Sequence, residues 1–169
     1  ISVTAYTIRG AEPGDCGAIA AVYNSDPDFL RAHLGTELVT EPFILAEQAQ
    51  MRALGFRSCV IEDGESGEIQ GVLDYRPGGE VYLSLLMLRA ERHRSGAGRA
   101  VYTGFEEEMR RTGASSIRID VVRGHEGDAA PFWRRMGFVP AGEAELCWGQ
   151  QRSSAVIMRK HLYDRRGDR

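Results

Sequence analysis

The hydrophobic pattern of this chain centres on residues 81–88, its longest nearly apolar run. The run is too short to cross a bilayer, and its length is typical of a strand that is buried on both faces. A connection that carries Arg89, Arg92, His93 and Arg94 follows, and glycines then open a helix. This pattern predicts a central strand that leads through a cationic turn into a helix.

Helical spacing marks two segments in the N-terminal third of the chain. The first follows Asp15 and the second follows Thr40, and both are residue types that cap helices. Residues 24–35, between the two segments, indicate an irregular polar loop, and loops of this kind tend to carry specificity. The apolar positions of the two helical faces are Ile19, Val22 and Tyr23, and then Ile44, Met51 and Leu54.

Alternating apolar and polar residues predict the other strands of a sheet. Residues 58–62 and 70–76 are joined by turn residues, so they are expected to pair as antiparallel neighbours that lead into the central strand. Further strands are expected at residues 6–9, 116–122, 138–146 and 155–160.

The segment after the glycines predicts a crossover helix. Val101, Phe105 and Met109 form a stripe at helical spacing, and Gly113 ends the helix. The strand at residues 116–122 returns after this helical connection, so it is expected to lie parallel to the central strand.

Charged residues add detail to the helices. Glu106 with Arg110, and Glu107 with Arg111, have the spacing of ion pairs on the solvent face of the crossover helix. Asp128 is expected to cap a further short helix that ends near residue 137.

Composition narrows the class of protein. The chain has 169 residues, 43% of them hydrophobic, so we expect one domain over residues 1–169. A net charge of -3 argues against a surface for nucleic acid or for an anionic membrane. The three cysteines, Cys16, Cys59 and Cys147, have no paired spacing. They predict a reducing cytoplasm and no structural metal site.

The glycine turn after the central strand is suited to binding phosphate. Glycines let the backbone approach a ligand closely, and the first amides of a helix carry partial positive charge. A dinucleotide fingerprint would need a third glycine where Val101 stands. Asp120, which lies downstream at the distance of that fingerprint's acidic residue, is therefore not expected to bind a ribose. A P-loop would need a lysine beside the glycines, and this turn has none.

The sequence His-Arg-Ser-Gly-Ala-Gly at residues 93–98 resembles the Arg/Gln-x-x-Gly-x-Gly/Ala motif of the GNAT superfamily of acyl-CoA-dependent N-acyltransferases. His93 stands where the family usually has Arg or Gln, and Arg94 keeps a cation in the turn. Residues 129–138 and 154–160 resemble two further family segments, and the order of elements agrees over essentially the whole chain. The resemblance implies an α/β fold with a mixed, mostly antiparallel sheet, helices on both faces and a bulged central strand at the acyl-CoA cleft.

The same resemblance implies acetyl-CoA, or another short acyl-CoA, as the cofactor. Main-chain groups at the end of the central strand would hold the pantetheine arm and the acyl oxygen, with the bulge near Leu86 and Leu88. Trp133 falls where the family often has a tyrosine that acts as general acid, and an indole is expected to form a wall instead. The implied cofactor-binding residues are Leu86, Met87, Leu88, His93, Arg94, Ser95, Gly96, Ala97, Gly98, Arg99 and Trp133.

Three polar residues are candidates for catalysis. Tyr82 stands where histone-modifying members of the family have a glutamate base, Ser84 shares its strand face, and Asp120 lies on the neighbouring strand. Each of them also fits an ordinary strand residue with satisfied hydrogen bonds, and this alternative stays open. A frequent family asparagine falls on Glu126.

The resemblance implies transfer of an acyl group, with acetyl expected, to a primary amine of a small molecule or of an exposed protein amine. Because Trp133 and Tyr82 depart from the family pattern, an acyl-CoA-binding regulatory or interaction module is the alternative. Asp26, Asp28 and Glu37 are expected to attract a cationic amine, with plain surface charge as the other interpretation. A homodimer is left open, and no nucleic-acid or membrane partner is expected.

Overall fold

The computed structural model of the chain describes residues 1–3, 5–124 and 129–162. Eight strands and five α-helices occur in these residues, and short 3-10 turns cover Pro13–Asp15 and Ala90–Arg92. The strands are β1 (Ser2–Val3), β2 (Tyr6–Gly10), β3 (Arg57–Asp63), β4 (Ile69–Arg76), β5 (Glu80–Leu88), β6 (Ser116–Val122), β7 (Val139–Trp148) and β8 (Gln151–His161). The helices are α1 (Cys16–Asn24), α2 (Pro27–Leu34), α3 (Glu41–Ala53), α4 (Ala97–Arg111) and α5 (Ala130–Arg135).

The strands of the described residues form one sheet in the order β1-β2-β3-β4-β5-β6-β8-β7. Every neighbouring pair is antiparallel except β5 and β6, which are parallel. Helix α4 connects those two strands. The structure therefore confirms the mixed, mostly antiparallel sheet and the parallel crossover that the sequence predicts.

Helices cover both faces of the sheet. Successive residues of a strand point to opposite faces, so Val60 and Ile61 of β3 belong to different apolar clusters. The cluster that joins α4 and α5 to the sheet includes Ile61, Leu73, Val101, Phe105 and Trp133. The cluster that joins α1, α2 and α3 to the other face includes Val22, Leu30, Ile44, Val60 and Val72.

Strands β5 and β6 separate soon after they begin. Their register covers only Glu80, Val81 and Tyr82, which lie opposite the first residues of β6. Beyond Tyr82 the edge of β5 that faces β6 has no ladder, so the polar groups on that edge are available to a ligand, while the other edge stays paired with β4.

A bulge interrupts the pairing of β4 and β5 at Ser84. Asp74 pairs with Leu85 and Tyr75 pairs with Leu83, which leaves Ser84 as the extra residue. The Ser84 hydroxyl donates a hydrogen bond to the Asp74 carbonyl oxygen at 3.2 Å. The central strand is bulged as expected, but the bulge precedes the segment from Leu86 to Leu88 to which the resemblance assigned it, because that segment pairs with β4 in regular register.

A glycine on β4 lets the end of β5 come close. Gly71 pairs with Leu88. A Cβ atom at Gly71 would lie 2.5 Å from the Met87 carbonyl oxygen and 2.7 Å from Leu88 Cδ2. Any side chain at this position would displace the end of β5, so Gly71 fixes the path of the central strand.

Residues 24–35 contain a helix, and the prediction of an irregular loop was wrong. The Asp26 carboxylate accepts a hydrogen bond from the Phe29 N–H at 3.1 Å and so caps α2. Pro27 lies in the first turn, and Gly35 ends the helix with φ of 70°. The polar composition of the segment concealed an Asp-Pro start and a glycine stop, which are helix signals.

Two further expectations about the N-terminal helices were wrong. Asp15 does not cap α1, because its carboxylate accepts a hydrogen bond from the Glu12 N–H and forms an ion pair with Arg9. Leu54 lies just beyond α3 and is 65% exposed, so it does not belong to the buried helical face.

Ion pairs on α4 follow the sequence prediction only in part. Glu106 pairs with Arg110 at 2.9 Å. Arg111 pairs with Glu108 at 2.6 Å and not with Glu107, because positions three apart are also neighbours on a helix. Asp128, the expected cap of α5, lies outside the described residues.

Candidate functional site

An open cleft of about 660 Å³ lies where the end of β5, the turn before α4 and helix α5 meet. We call it the outer cleft. Ser95 and Ala97 do not line it, because the Ser95 hydroxyl donates to the Arg92 carbonyl oxygen at 2.6 Å and the Ala97 side chain is buried in the core. The other predicted cofactor-binding residues do line it, namely Leu86, Met87, Leu88, His93, Arg94, Gly96, Gly98, Arg99 and Trp133.

The turn before α4 presents backbone amides at one end of the outer cleft. The chain enters the left-handed region at Arg94 (φ 59°) and again at Gly96 (φ 84°). The N–H groups of Gly98 and Arg99 lie in the first turn of α4, and they donate to no residue that the structure describes. A helix start of this kind attracts anions.

Arginine side chains add positive charge at the same end. Arg92 is engaged with Gln70 and Asp63, so its guanidinium is already paired. Arg94 and Arg99 line the outer cleft, and neither forms an ion pair with any part of the chain that the structure describes. The turn therefore combines backbone donors with two uncompensated cations.

His93 ties this turn to the strand before it. Its Nε2 atom lies 3.0 Å from the Leu88 carbonyl oxygen. A carbonyl oxygen only accepts hydrogen bonds, so Nε2 carries the hydrogen. The residue that replaces the family's Arg or Gln thus holds the end of β5 in position.

Trp133 forms a rigid wall of the outer cleft. The ring is 8% exposed, and the rings of Tyr102, Phe132 and Phe138 make edge contacts with it at 4.9 to 5.3 Å. Burial raises the pKa of Tyr102, whose hydroxyl donates to Glu106 at 2.8 Å. Tyr102 therefore does not supply the acidic proton that the indole of Trp133 lacks.

A smaller pocket of about 140 Å³ opens between the separated parts of β5 and β6, beneath α2 and the end of β7. We call it the inner pocket. Phe29, Leu86, Ala129 and Trp133 line both it and the outer cleft. The two spaces are therefore neighbours that meet at Leu86, on the part of β5 that has lost its β6 partner.

The polar end of the inner pocket contains two of the three predicted catalytic residues, Ser84 and Asp120. Arg118 donates to both Asp120 oxygens, at 2.9 and 3.0 Å, and the Tyr82 hydroxyl donates to one of them at 3.1 Å. A carboxylate offers about four lone-pair sites, so Asp120 can accept one further hydrogen bond.

Tyr82 lies behind Asp120 and does not line the inner pocket. Burial raises the pKa of Tyr82, and the negative charge of Asp120 raises it further. A phenol in this state stays protonated near neutral pH, which opposes a role for Tyr82 as a base.

The opposite end of the inner pocket is aromatic. Phe29 and His33 of α2 stack with their ring centroids 3.9 Å apart, and Trp148 at the end of β7 meets both rings edge-on at 6.1 and 6.2 Å. His33 Nδ1 lies 3.0 Å from the Phe29 carbonyl oxygen. Sequence reasoning missed Trp148. Phe29 and His33 are four residues apart and follow the helix cap Asp26, and this spacing is the sequence signal that places their rings on one face of a helix.

The acidic residues of the α2 region are paired. Arg31 forms ion pairs with Asp28 and with Glu37, and both carboxylates are exposed on the surface. Asp26 lines the outer cleft and caps α2. These contacts favour the plain surface-charge interpretation of Asp28 and Glu37.

A second carboxylate cluster lies beside the site, on the same face of the sheet as α1 and α3. Asp74 and Glu47 line a closed space of about 10 Å³ with Tyr23 and Ser58. Burial raises the pKa of Asp74 to about 7, and the neighbouring Glu47 adds to the effect. Burial also raises the pKa of Glu47.

Glu126, at the position of the family asparagine, lies outside the described residues. Among residues 1–3, 5–124 and 129–162, no group of three or more His, Cys, Asp or Glu side chains is arranged to hold a metal ion. No helix in this part of the chain is long and apolar enough to span a membrane.

The sequence profile described as Acetyltransferase (GNAT) family matches residues 21–138. No curated protein sequence matches the chain. An acetyltransferase from Thermus thermophilus superposes with a TM-score of 0.77 at 22% identity, over 96% of this chain and 100% of that one. The ribosomal-protein-S18-alanine N-acetyltransferase from Escherichia coli gives 0.67 at 16%, over 95% and 97%. The structure of yncA from Salmonella typhimurium, which contains acetyl-CoA, gives 0.63 at 21%, over 98% of each chain.

Proposed function

The chain belongs to the acetyltransferase (GNAT) family, and from that premise we propose how it acts as an acyl-CoA-dependent N-acetyltransferase. In our proposal the outer cleft holds acetyl-CoA and the inner pocket holds a primary amine. The observation that carries the proposal is the junction of the two spaces at Leu86, on a stretch of β5 whose backbone has no β6 partner.

The outer cleft suits acetyl-CoA in charge and in shape. Amides of the first turn of α4, with Arg94 and Arg99 beside them, suit the pyrophosphate. Gly98 faces the space between Phe132 and Leu88, so the absence of a side chain leaves room there. When bound, acetyl-CoA supplies an acyl group as a thioester.

Acyl transfer forms a bond from the amine nitrogen to the acyl carbon, breaks the carbon–sulfur bond and releases one proton from the nitrogen. In our proposal the Ser84 hydroxyl and the Asp120 carboxylate accept hydrogen bonds from the amine and point its lone pair at the acyl carbon. The proton passes to water in the outer cleft. A thiolate with an ordinary pKa of about 8.5 can leave without an acid, so Trp133 needs no chemical role.

A binding module without catalysis is the second candidate. It is supported by Trp133 in place of a proton donor and by the raised pKa of Tyr82. Such a module would bind acetyl-CoA in the outer cleft and release no thiol when amines are added.

Release of free CoA thiol in the presence of amines tests the proposal. We expect Ser84→Ala and Asp120→Asn each to lower kcat by at least about tenfold. The dissociation constant for acetyl-CoA should stay within about twofold, because neither side chain lines the outer cleft. Ser115→Ala is the matched control, since this exposed hydroxyl bonds to the Gly79 carbonyl oxygen away from both spaces. Bound acetyl-CoA with no amine-dependent thiol release would favour the module.

We also propose one domain over residues 1–169 and a location in a reducing cytoplasm. Cys16, Cys59 and Cys147 are free thiols, which suits such a compartment. The question of a homodimer stays open.

A further inference from the structure

The inner pocket is small for an acceptor site. Its volume of about 140 Å³ is close to that of an engineered protein cavity of about 150 Å³ that binds benzene. A single ring or a short branched chain fills such a space. A polyamine, or an amino sugar that has several rings, would extend beyond it.

Polar and apolar groups occupy opposite ends of the pocket. Ser84 and Asp120 lie at the end formed by the two strands, and both can accept hydrogen bonds. Phe29, Leu146 and Trp148 lie at the other end and offer apolar surface. A ligand that satisfies both ends has one amine and a compact apolar body.

Helix α2 and the hairpin of β7 and β8 close the pocket from above. The Ser153 hydroxyl donates to the Ala32 carbonyl oxygen at 3.4 Å. A Cβ atom at Gly149, in the turn of the hairpin, would lie 3.6 Å from Leu34 Cδ2. These two contacts join α2 to the hairpin along one side of the pocket, so the described residues offer no opening for an extended peptide on that side.

The charged groups that the structure describes near the pocket are two ion-paired sets and the Glu47 carboxyl group, which lies beside the Trp148 indole. Arg31 pairs with Asp28 and Glu37 on the outer surface of α2, and Arg118 pairs with Asp120. These charges do not limit the number of ammonium groups on the acceptor, so the size of the pocket is what restricts it.

From this arrangement we propose that the acceptor is a compact primary amine with an apolar or aromatic skeleton of about six to nine non-hydrogen atoms. The proposal rests on the acyl transfer described above. It favours a small molecule over an exposed protein amine, the other acceptor class that the sequence left open.

The test compares kcat/KM for thiol release across acceptor classes. Benzylamine and 3-methylbutylamine represent compact apolar amines, and spermidine and a tetrapeptide with a free N-terminus and one lysine represent the excluded classes. We expect the compact amines to exceed the others by at least about tenfold, because a misfit of even one methylene in an apolar pocket lowers kcat/KM by about 10–200-fold.

Two substitutions change the pocket in opposite directions. Leu146→Trp should fill it and lower kcat/KM for benzylamine by at least about tenfold, whereas Trp148→Ala should enlarge it and favour 2-(1-naphthyl)ethylamine over benzylamine. Neither residue lines the outer cleft, so the dissociation constant for acetyl-CoA should stay within about twofold. Val139→Trp is the matched control, because Val139 lies on the same strand and is 59% exposed.

The outcomes separate the proposal from the function on which it rests. Faster turnover of spermidine or the tetrapeptide than of the compact amines would overturn the acceptor class and leave the acyltransfer intact. An unchanged benzylamine kcat/KM in a folded Leu146→Trp variant would also overturn it. If acetyl-CoA binds and no amine of any class releases thiol, the transfer function itself fails, and the acceptor proposal fails with it.

Discussion

Gly98 has no side chain, and this leaves space for a ligand beside the first turn of α4. A Cβ there would lie 3.7 Å from Phe132 and 3.8 Å from Leu88, which are ordinary contact distances. The fold therefore tolerates alanine, and a helical position gains about 1 kcal/mol when glycine becomes alanine. Because Phe132 and Leu88 line the outer cleft, the added atom would narrow the space beside the amides.

We predict that Gly98→Val weakens acetyl-CoA binding by at least about tenfold, or about 1.4 kcal/mol, because its branched side chain would fill the space beside the amides. Gly98→Ala is the matched control: the motif accepts alanine at this position, so its acetyl-CoA affinity should stay within about threefold of that of the parent. Calorimetric titration measures the affinities, and urea denaturation checks that both variants fold. An unchanged acetyl-CoA affinity in a folded Gly98→Val variant would show that the turn does not approach the cofactor closely.

At the scale of elements, local patterns predicted some parts of the site and missed others. The strand β5, its cationic turn and α4 are consecutive in the chain, so apolar runs and glycines were enough to predict them. The inner pocket joins Phe29 of α2 to Trp148 of β7, which are far apart in sequence. No local periodicity encodes such a contact. Because α2 was not predicted, Phe29 was also not expected to lie on a helix.

The packing of β4 against α3 makes the stability of the fold depend on pH. Asp74 is surrounded by Glu47, Tyr23 and Ser58, and burial raises its pKa from 3.8 to about 7. The folded chain therefore binds this proton more tightly than the unfolded chain does. The contribution of the protonated group is complete below about pH 4, and it is lost as the pH rises towards 7.

We predict that Asp74→Asn stabilises the protein increasingly as the pH rises, because an amide mimics the protonated acid and carries no charge. Its advantage over the parent in free energy of unfolding should grow by about 2 kcal/mol between pH 5 and pH 8. Urea denaturation at both pH values measures this change. Asp63→Asn is the control: backbone hydrogen bonds from Ser66 and Glu65 lower the pKa of Asp63, so its effect should not grow over that range. A pH-independent Asp74→Asn effect would mean that Asp74 is ionised in the fold.

At the scale of the whole molecule, the order of strands and helices made the sheet predictable. A strand that returns through a helix lies parallel to its predecessor, and hairpin-linked strands pair antiparallel. The residue pattern did not predict the early separation of β5 from β6, the position of the bulge at Ser84 or the close approach at Gly71. Those features depend on atomic contacts that a pattern of residue types does not specify.

The outer cleft touches β5, the turn before α4 and helix α5, so a ligand bound there should stabilise the chain as a whole. Acetyl-CoA at about 100 times its dissociation constant adds about 2.7 kcal/mol to the folded state. For a protein of this size that corresponds to a rise in Tm of about 5–11 °C.

We predict this rise for the parent, and a nearly equal one for CoA without the acetyl group, since the turn and β5 contact the shared part of both molecules. Thermal denaturation with each ligand measures it, and Gly98→Val should show a smaller rise at the same ligand concentration. A Tm that acetyl-CoA leaves unchanged would contradict binding across these three elements. If Tm rises with acetyl-CoA and not with CoA, the main binding contacts lie at the acyl end near Leu86 and not at the α4 turn, because only the acyl group differs between the two ligands.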